Sequence, residues 1–129
     1  MKRHMLAVLL TVALIAAFCG CRSMHTTSGA SATVTGYVMG YYTKSYAMPC
    51  AKAYDDVLRM LKVEKIVPYS KESGQTAALV QATLSDGRSL TIDIKATGTD
   101  TSSVSIRVGV LGDEERSNYF FEKLDKIVK

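Results

Sequence analysis

The run Ala78-Leu79-Val80-Gln81-Ala82-Thr83-Leu84 is followed by Leu90-Thr91-Ile92-Asp93-Ile94-Lys95-Ala96, and then by Ser103-Val104-Ser105-Ile106-Arg107-Val108-Gly109-Val110. In each run the apolar residues fall on the even positions, while the odd positions, Leu79 and Gly109 apart, are polar. Side chains alternate between the two faces of a strand, so each run has one dry face. Three such strands in succession predict an antiparallel meander, packed on one side and wet on the other.

The turns can be tested against that parity. A two-residue loop at Asp86-Gly87 would pair Ser85 with Arg88 and set even positions opposite odd ones. A three-residue loop, Ser85-Asp86-Gly87 with Gly87 in the left-handed region, pairs Leu84 with Arg88 instead. Ala82 then lies opposite Leu90 and Val80 opposite Ile92, which keeps one face dry and selects the longer loop. Thr97 to Ser102 holds the next turn. Parity allows Ile94 opposite Ile106, with Asp93 opposite Arg107 on the outer face. Such a cross-strand pair contributes ~0.2–1 kcal/mol and reads as structural rather than catalytic.

Upstream, Ile66 to Lys71 is a short strand that Pro68 confines to a sheet edge. Before it, Pro49 fits the first turn of a helix, where its missing N–H costs nothing. Cys50, Ala53, Tyr54, Val57, Leu58 and Leu61 form one apolar stripe at helical spacing. Lys52, Asp55, Asp56, Arg59 and Lys62 take the other face. Adjacent carboxylates on a helix point about 100° apart, so Asp55 and Asp56 read as a solvated face rather than an acid–base or metal pair. Val34 to Tyr46 is rich in β-formers and reads as a first strand, bent or bulged at Gly36 and Gly40.

Downstream, Gly112-Asp113 ends the last strand, and Asp113 is a good N-cap for a closing helix. Its stripe is Ser117, Phe120, Phe121, Leu124, Ile127 and Val128. A phosphate loop at Gly109-x-x-Gly112 is rejected on electrostatics, because Asp113, Glu114 and Glu115 already bring negative charge to that helix start. The expected fold is α+β, in the order β-α-β-β-β-β-α. An antiparallel sheet of about five strands carries two helices packed on one face, in a single domain over residues 34–129.

Ahead of the domain the chain reads differently. Lys2 and Arg3 precede an apolar run from Met5 to Phe18, then Cys19-Gly20-Cys21. About fourteen apolar residues suit a secretory signal, whereas a membrane span needs roughly twenty. Phe18-Cys19-Gly20-Cys21 resembles the lipobox of bacterial lipoproteins, with Gly20 before the cut and Cys21 as acceptor. That resemblance implies a signal peptide over 1–20 and a diacylglycerol thioether at Cys21, with an amide-linked acyl chain such as palmitate. Two or more chains anchor a protein stably. The competing reading is an ordinary signal peptide and a soluble secreted domain. Many inner-membrane lipoproteins carry Asp after the acylated cysteine. Arg22 stands here, so the analogy points to the outer membrane, facing the periplasm. Residues 21–33 read as a lipidated tether of small polar residues, with a reach on the order of 18 Å.

Composition narrows the partners. The chain has 129 residues with 22% charged and 47% hydrophobic, the profile of a globular protein. Loss of Lys2 and Arg3 with the leader takes two positive charges from the formal +4, and no basic cluster tracks phosphates. Nucleic acid is not an expected partner. Of three cysteines only Cys50 stays a thiol after processing, and its place on the apolar stripe predicts burial. His25 falls in the tether, which leaves no histidine in the domain for a triad or a metal site. No metal, cofactor or catalytic residue is assigned.

Ser105-Ile106-Arg107-Val108-Gly109-Val110-Leu111-Gly112-Asp113 resembles the hallmark of a family of small bacterial lipoproteins that carry a domain of unknown function. Tyr37-Val38-Met39-Gly40, the Ala53–Leu61 helix and the Asp86-Gly87 hairpin agree with it. The resemblance implies a periplasmic lipoprotein without an assigned role and supplies no catalytic residues. The residues themselves point to a non-catalytic binding or structural module of the cell envelope, with a small envelope enzyme as the alternative. Tyr37, Tyr41, Tyr42 and Tyr46 are the candidate surface for a periplasmic protein or peptidoglycan partner, since tyrosine rings are apolar and their hydroxyls wet. The bland alternative packs most of them against the helices. Asp93, Arg107, Gly87, Gly112 and Asp113 are expected to be structural.

Overall fold

The computed structural model describes residues 34–128. The expected leader over 1–20, the acceptor Cys21, the tether over 21–33 and His25 lie outside the described residues. Eight elements follow one another: β1 (Val34–Val38), β2 (Tyr41–Tyr46), α1 (Cys50–Val63), β3 (Pro68–Ser73), β4 (Ala77–Thr83), β5 (Ser89–Ala96), β6 (Ser102–Val108) and α2 (Glu114–Val128). The six strands form one sheet in the order β1-β2-β6-β5-β4-β3, with every pair antiparallel. The class is α+β, as expected. β3 to β6 form the meander, and α1 carries the chain from β2 across to the far edge at β3.

The β4–β5 register follows from the parity argument. Val80 lies opposite Ile92 and Ala82 opposite Leu90. The Leu84 N–H donates to the Arg88 carbonyl at 2.8 Å, and the Gly87 N–H donates to the Leu84 carbonyl at 2.9 Å. Gly87 has φ +85°, so the loop has three residues with glycine in the left-handed position.

The β5–β6 register differs from expectation by two residues. Ile92, not Ile94, faces Ile106, and Asp93 faces Ser105 while Arg107 faces Thr91. The turn is centred on Thr99: the Thr97 and Gly98 N–H groups both donate to the Thr101 carbonyl, at 3.0 and 3.2 Å. A Cβ at Gly98 would stand 2.6 Å from the hydroxyl of exposed Thr101, a side chain that can turn away. Asp93 therefore pairs along its own strand with Lys95, at 3.3 Å, and not with Arg107.

The expected single first strand is a hairpin, which raises the strand count to six. Met39 (φ +52°) and Gly40 (φ +83°) form a two-residue loop, with Tyr37 opposite Tyr42 and Val38 opposite Tyr41. Two consecutive positive φ values match the twist of the flanking strands. The irregularity expected at Gly36 is present, as a register shift between Val34 and Gly36.

The core lies between the even-numbered sheet face and the helices. Val80, Ile92, Ile94, Val104, Ile106 and Val108 meet Val57, Met60, Leu61, Phe120 and Leu124 there, all at 1% exposure or less. Full burial of such side chains stabilises by roughly 1.5–3 kcal/mol each before the entropy of ordering is set against it. Pro49 sits one position before α1, with φ −61° and ψ 155°, and its carbonyl accepts the Ala53 N–H at 3.0 Å.

Asp56 corrects the expectation of a solvated acidic face: it is 2% exposed. Lys52 Nζ lies 2.6 Å from its Oδ2 and Arg59 Nη1 lies 3.6 Å from Oδ1, so the carboxylate is enclosed with cations from both flanking turns. A buried charge is tolerable when paired in this way.

Candidate binding surface

The strand parity that builds the core also distributes the four candidate tyrosines. Tyr42 and Tyr46 share the even-numbered face of β2 with Lys44, toward the helices. Tyr46 is buried, and its hydroxyl donates to Asp125 Oδ1 on α2 at 2.9 Å. Burial and then that carboxylate push the Tyr46 hydroxyl far above its ordinary pKa. Tyr42 is half-buried, with its ring centroid 5.0 Å from that of exposed Tyr37. Its hydroxyl pKa is also raised, first by desolvation and then by Glu114. Tyr41 points to the other face. The four rings therefore do not form one patch.

Tyr41 instead belongs to the open face of the sheet. The Arg107 guanidinium lies 4.6 Å from its ring centroid, a cation–π distance. Thr43 and Ser105 beside them share a hydrogen bond of 2.8 Å. Ser45 pairs with Ser103 further along, so a row of hydroxyls runs down the β2–β6 seam. Thr91, opposite Arg107 on β5, is nearly buried between its strand neighbours. Neither helix covers this side. The Arg107 Nε is buried without a hydrogen-bond partner, while the ring contact holds the rest of the side chain in place.

Under α2, Lys44 Nζ donates to Asp125 Oδ2 while Tyr46 donates to the other carboxylate oxygen. Lys44 is 8% exposed overall, yet nothing in its polar side chain announces burial from sequence. The signal that could have found it is parity, since Tyr42, Lys44 and Tyr46 alternate with Tyr41, Thr43 and Ser45. Cys50 is buried, as its stripe position predicts, and burial followed by the Asp93 charge raises its thiol pKa.

At one end of the sheet, three loops meet: Met39-Gly40, Ser85–Arg88 and the Gly109–Asp113 connection into α2. Asp113 caps α2 by accepting the Arg116 N–H at 2.9 Å. The same carboxylate receives Arg88 Nη1 at 2.6 Å, and Arg88 also bonds Asp86. These bonds hold both carboxyls below their usual range; the backbone donor is the largest cause in each, with the Arg88 side chain next. Gly40 and Gly112 touch backbone to backbone here. Asp93, Arg107, Gly87, Gly112 and Asp113 are thus placed in turns, caps and strand surfaces rather than gathered round one point.

Among the described residues there is no group of three His, Cys, Asp or Glu side chains that could hold a metal ion. No helix among them is long and apolar enough to cross a membrane. Fold and surfaces together define a small α+β domain: one antiparallel sheet, two helices on one face and an open polar face on the other. The chain belongs to the family described as Protein of unknown function (DUF3568), whose model matches residues 3–126. No curated protein matches it.

Proposed function

We propose that the protein is an envelope lipoprotein, tied by acylated Cys21 to the outer membrane and facing the periplasm. It serves as a non-catalytic binding or structural module. The leader, Lys2-Arg3 followed by Met5–Phe18 and Cys19-Gly20-Cys21, supports the anchored half of this reading. So does a family match that starts at residue 3 and takes in both leader and cysteine. Ser105–Asp113, which spans the end of β6 and the cap of α2, is on this proposal a hallmark of a lipoprotein family.

The binding half rests on one arrangement: Arg107 laid over Tyr41 on the open sheet face, beside the Thr43–Ser105 hydroxyl pair. An aromatic face stacks on sugar rings, a guanidinium pairs with carboxylates, and hydroxyls bond glycans. That chemistry fits peptidoglycan, which carries all three targets, better than it fits the apolar centre of a protein interface. Mass spectrometry of the mature N-terminus tests the anchor: a triacylated Cys21 is the expected species, and an unmodified start elsewhere overturns it. Co-sedimentation with purified sacculi tests the surface. Tyr41→Ala and Arg107→Ala are expected to weaken retention about tenfold, equivalent to ~1.4 kcal/mol. Unchanged retention in both removes the open face as the binding surface.

A further inference from the structure

The loop end of the sheet presents apolar side chains to solvent. Met39, Val110 and Leu111 are 83%, 85% and 85% exposed, and Val38 and Tyr37 stand beside them at 68% and 59%. They are not scattered. The contact between Gly40 and Gly112 staples the two loop apices side by side, so Met39 and Val110-Leu111 project together. The segments Tyr37–Tyr42 and Val108–Gly112 contain no charged residue. The third loop at this end is charged, but Arg88 there is paired with both Asp86 and Asp113. Isolated exposed apolar residues need no explanation, but two adjoining apolar apices do.

We infer that this tip dips into the leaflet that holds the acylated Cys21, as a second contact with the same membrane; the inference rests on the anchored reading above. Two protruding apices suit a fluid lipid surface, whereas a protein partner is met by a flatter patch. Tyr37 and Tyr42 lie just behind the apices, where amphipathic rings sit at a membrane interface. Chain length permits the geometry. Twelve residues separate Cys21 from Val34, a span of at most ~47 Å, while β1 from Val34 to the tip is only ~17 Å long. Exposed Glu114 and Glu115 follow the tip and favour a zwitterionic over an anionic surface. Once the acyl chains hold the protein at the bilayer, even weak insertion is populated, because the second contact is intramolecular.

The sequence has no tryptophan, so one introduced ring reports alone. Mature protein carrying Leu111→Trp, Met39→Trp or, at the opposite end, Thr99→Trp is reconstituted into phosphatidylcholine vesicles with brominated acyl chains. Flotation reads the anchor and fluorescence quenching reads the tip. Co-flotation with strong quenching at 111 and 39, and little at 99, is the expected result. Co-flotation with equal quenching at all three, or with none, overturns the tip contact and leaves the anchor standing. A blue shift at 111 that follows protein density without bromine quenching assigns the tip to a second copy and also overturns it. Failure to float, with no acyl mass on Cys21, removes both readings.

Discussion

The backbone of Gly112 rests against that of Gly40: a Cβ on Gly112 would lie 2.4 Å from the Gly40 carbonyl oxygen and 2.5 Å from its Cα. Both residues have φ above +80°. This crossing fixes the β1–β2 hairpin to the connection entering α2.

Gly112→Ala therefore meets two penalties, a left-handed backbone worth ~1–2 kcal/mol and a collision that only backbone movement relieves. Gly87 offers the control, since it has φ +85° with nothing within 4 Å of its Cβ position. Urea unfolding is expected to show Gly87→Ala losing ~1 kcal/mol and Gly112→Ala at least twice that. Equal losses would mean that the crossing is not rigid.

The Lys44–Asp125–Tyr46 group makes an asymmetric prediction. Asp125→Ala leaves a nearly buried ammonium and a buried phenol without their acceptor, a loss of about 2 kcal/mol after allowance for the partial exposure of Asp125. Lys44→Met removes the charge and keeps the length, so it is expected to cost under ~1 kcal/mol or to stabilise. Thermal melts of the two variants decide it: Lys44→Met must melt above Asp125→Ala.

Much of the meander was legible because period-2 patterning survives any context with one dry face. Val80 opposite Ile92 followed from parity together with the short Ser85-Asp86-Gly87 turn, which leaves one register. The same parity cannot distinguish registers two residues apart, because a two-residue slip returns every apolar side chain to the same face. The β5–β6 register was lost that way, and with it the pairing of Asp93 with Arg107. The β1–β2 hairpin was hidden by Met39, a residue with no turn preference, held at φ +52° between strands. Asp56 was misplaced because a charged side chain reads as solvated unless a partner is known, and its burial depends on tertiary packing; the burial of Lys44 depends on packing in the same way. The tyrosines were read on one strand, whereas Tyr37 lies on β1 and Tyr41, Tyr42 and Tyr46 on β2, and their division between two faces became visible only with the hairpin.

Cys50 is expected to resist thiol reagents in the native protein. It is 3% exposed, and desolvation, aided by the Asp93 charge, keeps its thiol protonated above the ordinary range. Labelling with iodoacetamide at pH 8 should be slow and should accelerate across the urea transition in step with unfolding. Rapid labelling without denaturant would show that the start of α1 opens locally.

The Asp113–Arg88–Asp86 cluster contributes to the acid limb of stability. Both carboxyls titrate lower in the folded state than in the unfolded chain, so the stability they contribute is complete above the unfolded value of about 4. It fades as pH falls through the lower folded values. Asp113→Asn keeps an oxygen to accept the Arg116 N–H, but it abolishes the titration and weakens the bond to Arg88. The variant is expected to be less stable than the parent at pH 7 and to approach it as pH falls below the unfolded value and through the lower folded one, because only the parent loses the carboxylate's contribution there. Urea midpoints measured from pH 7 to pH 2 check this: the two curves must converge at the acid end, and a constant offset would place the source of acid sensitivity elsewhere.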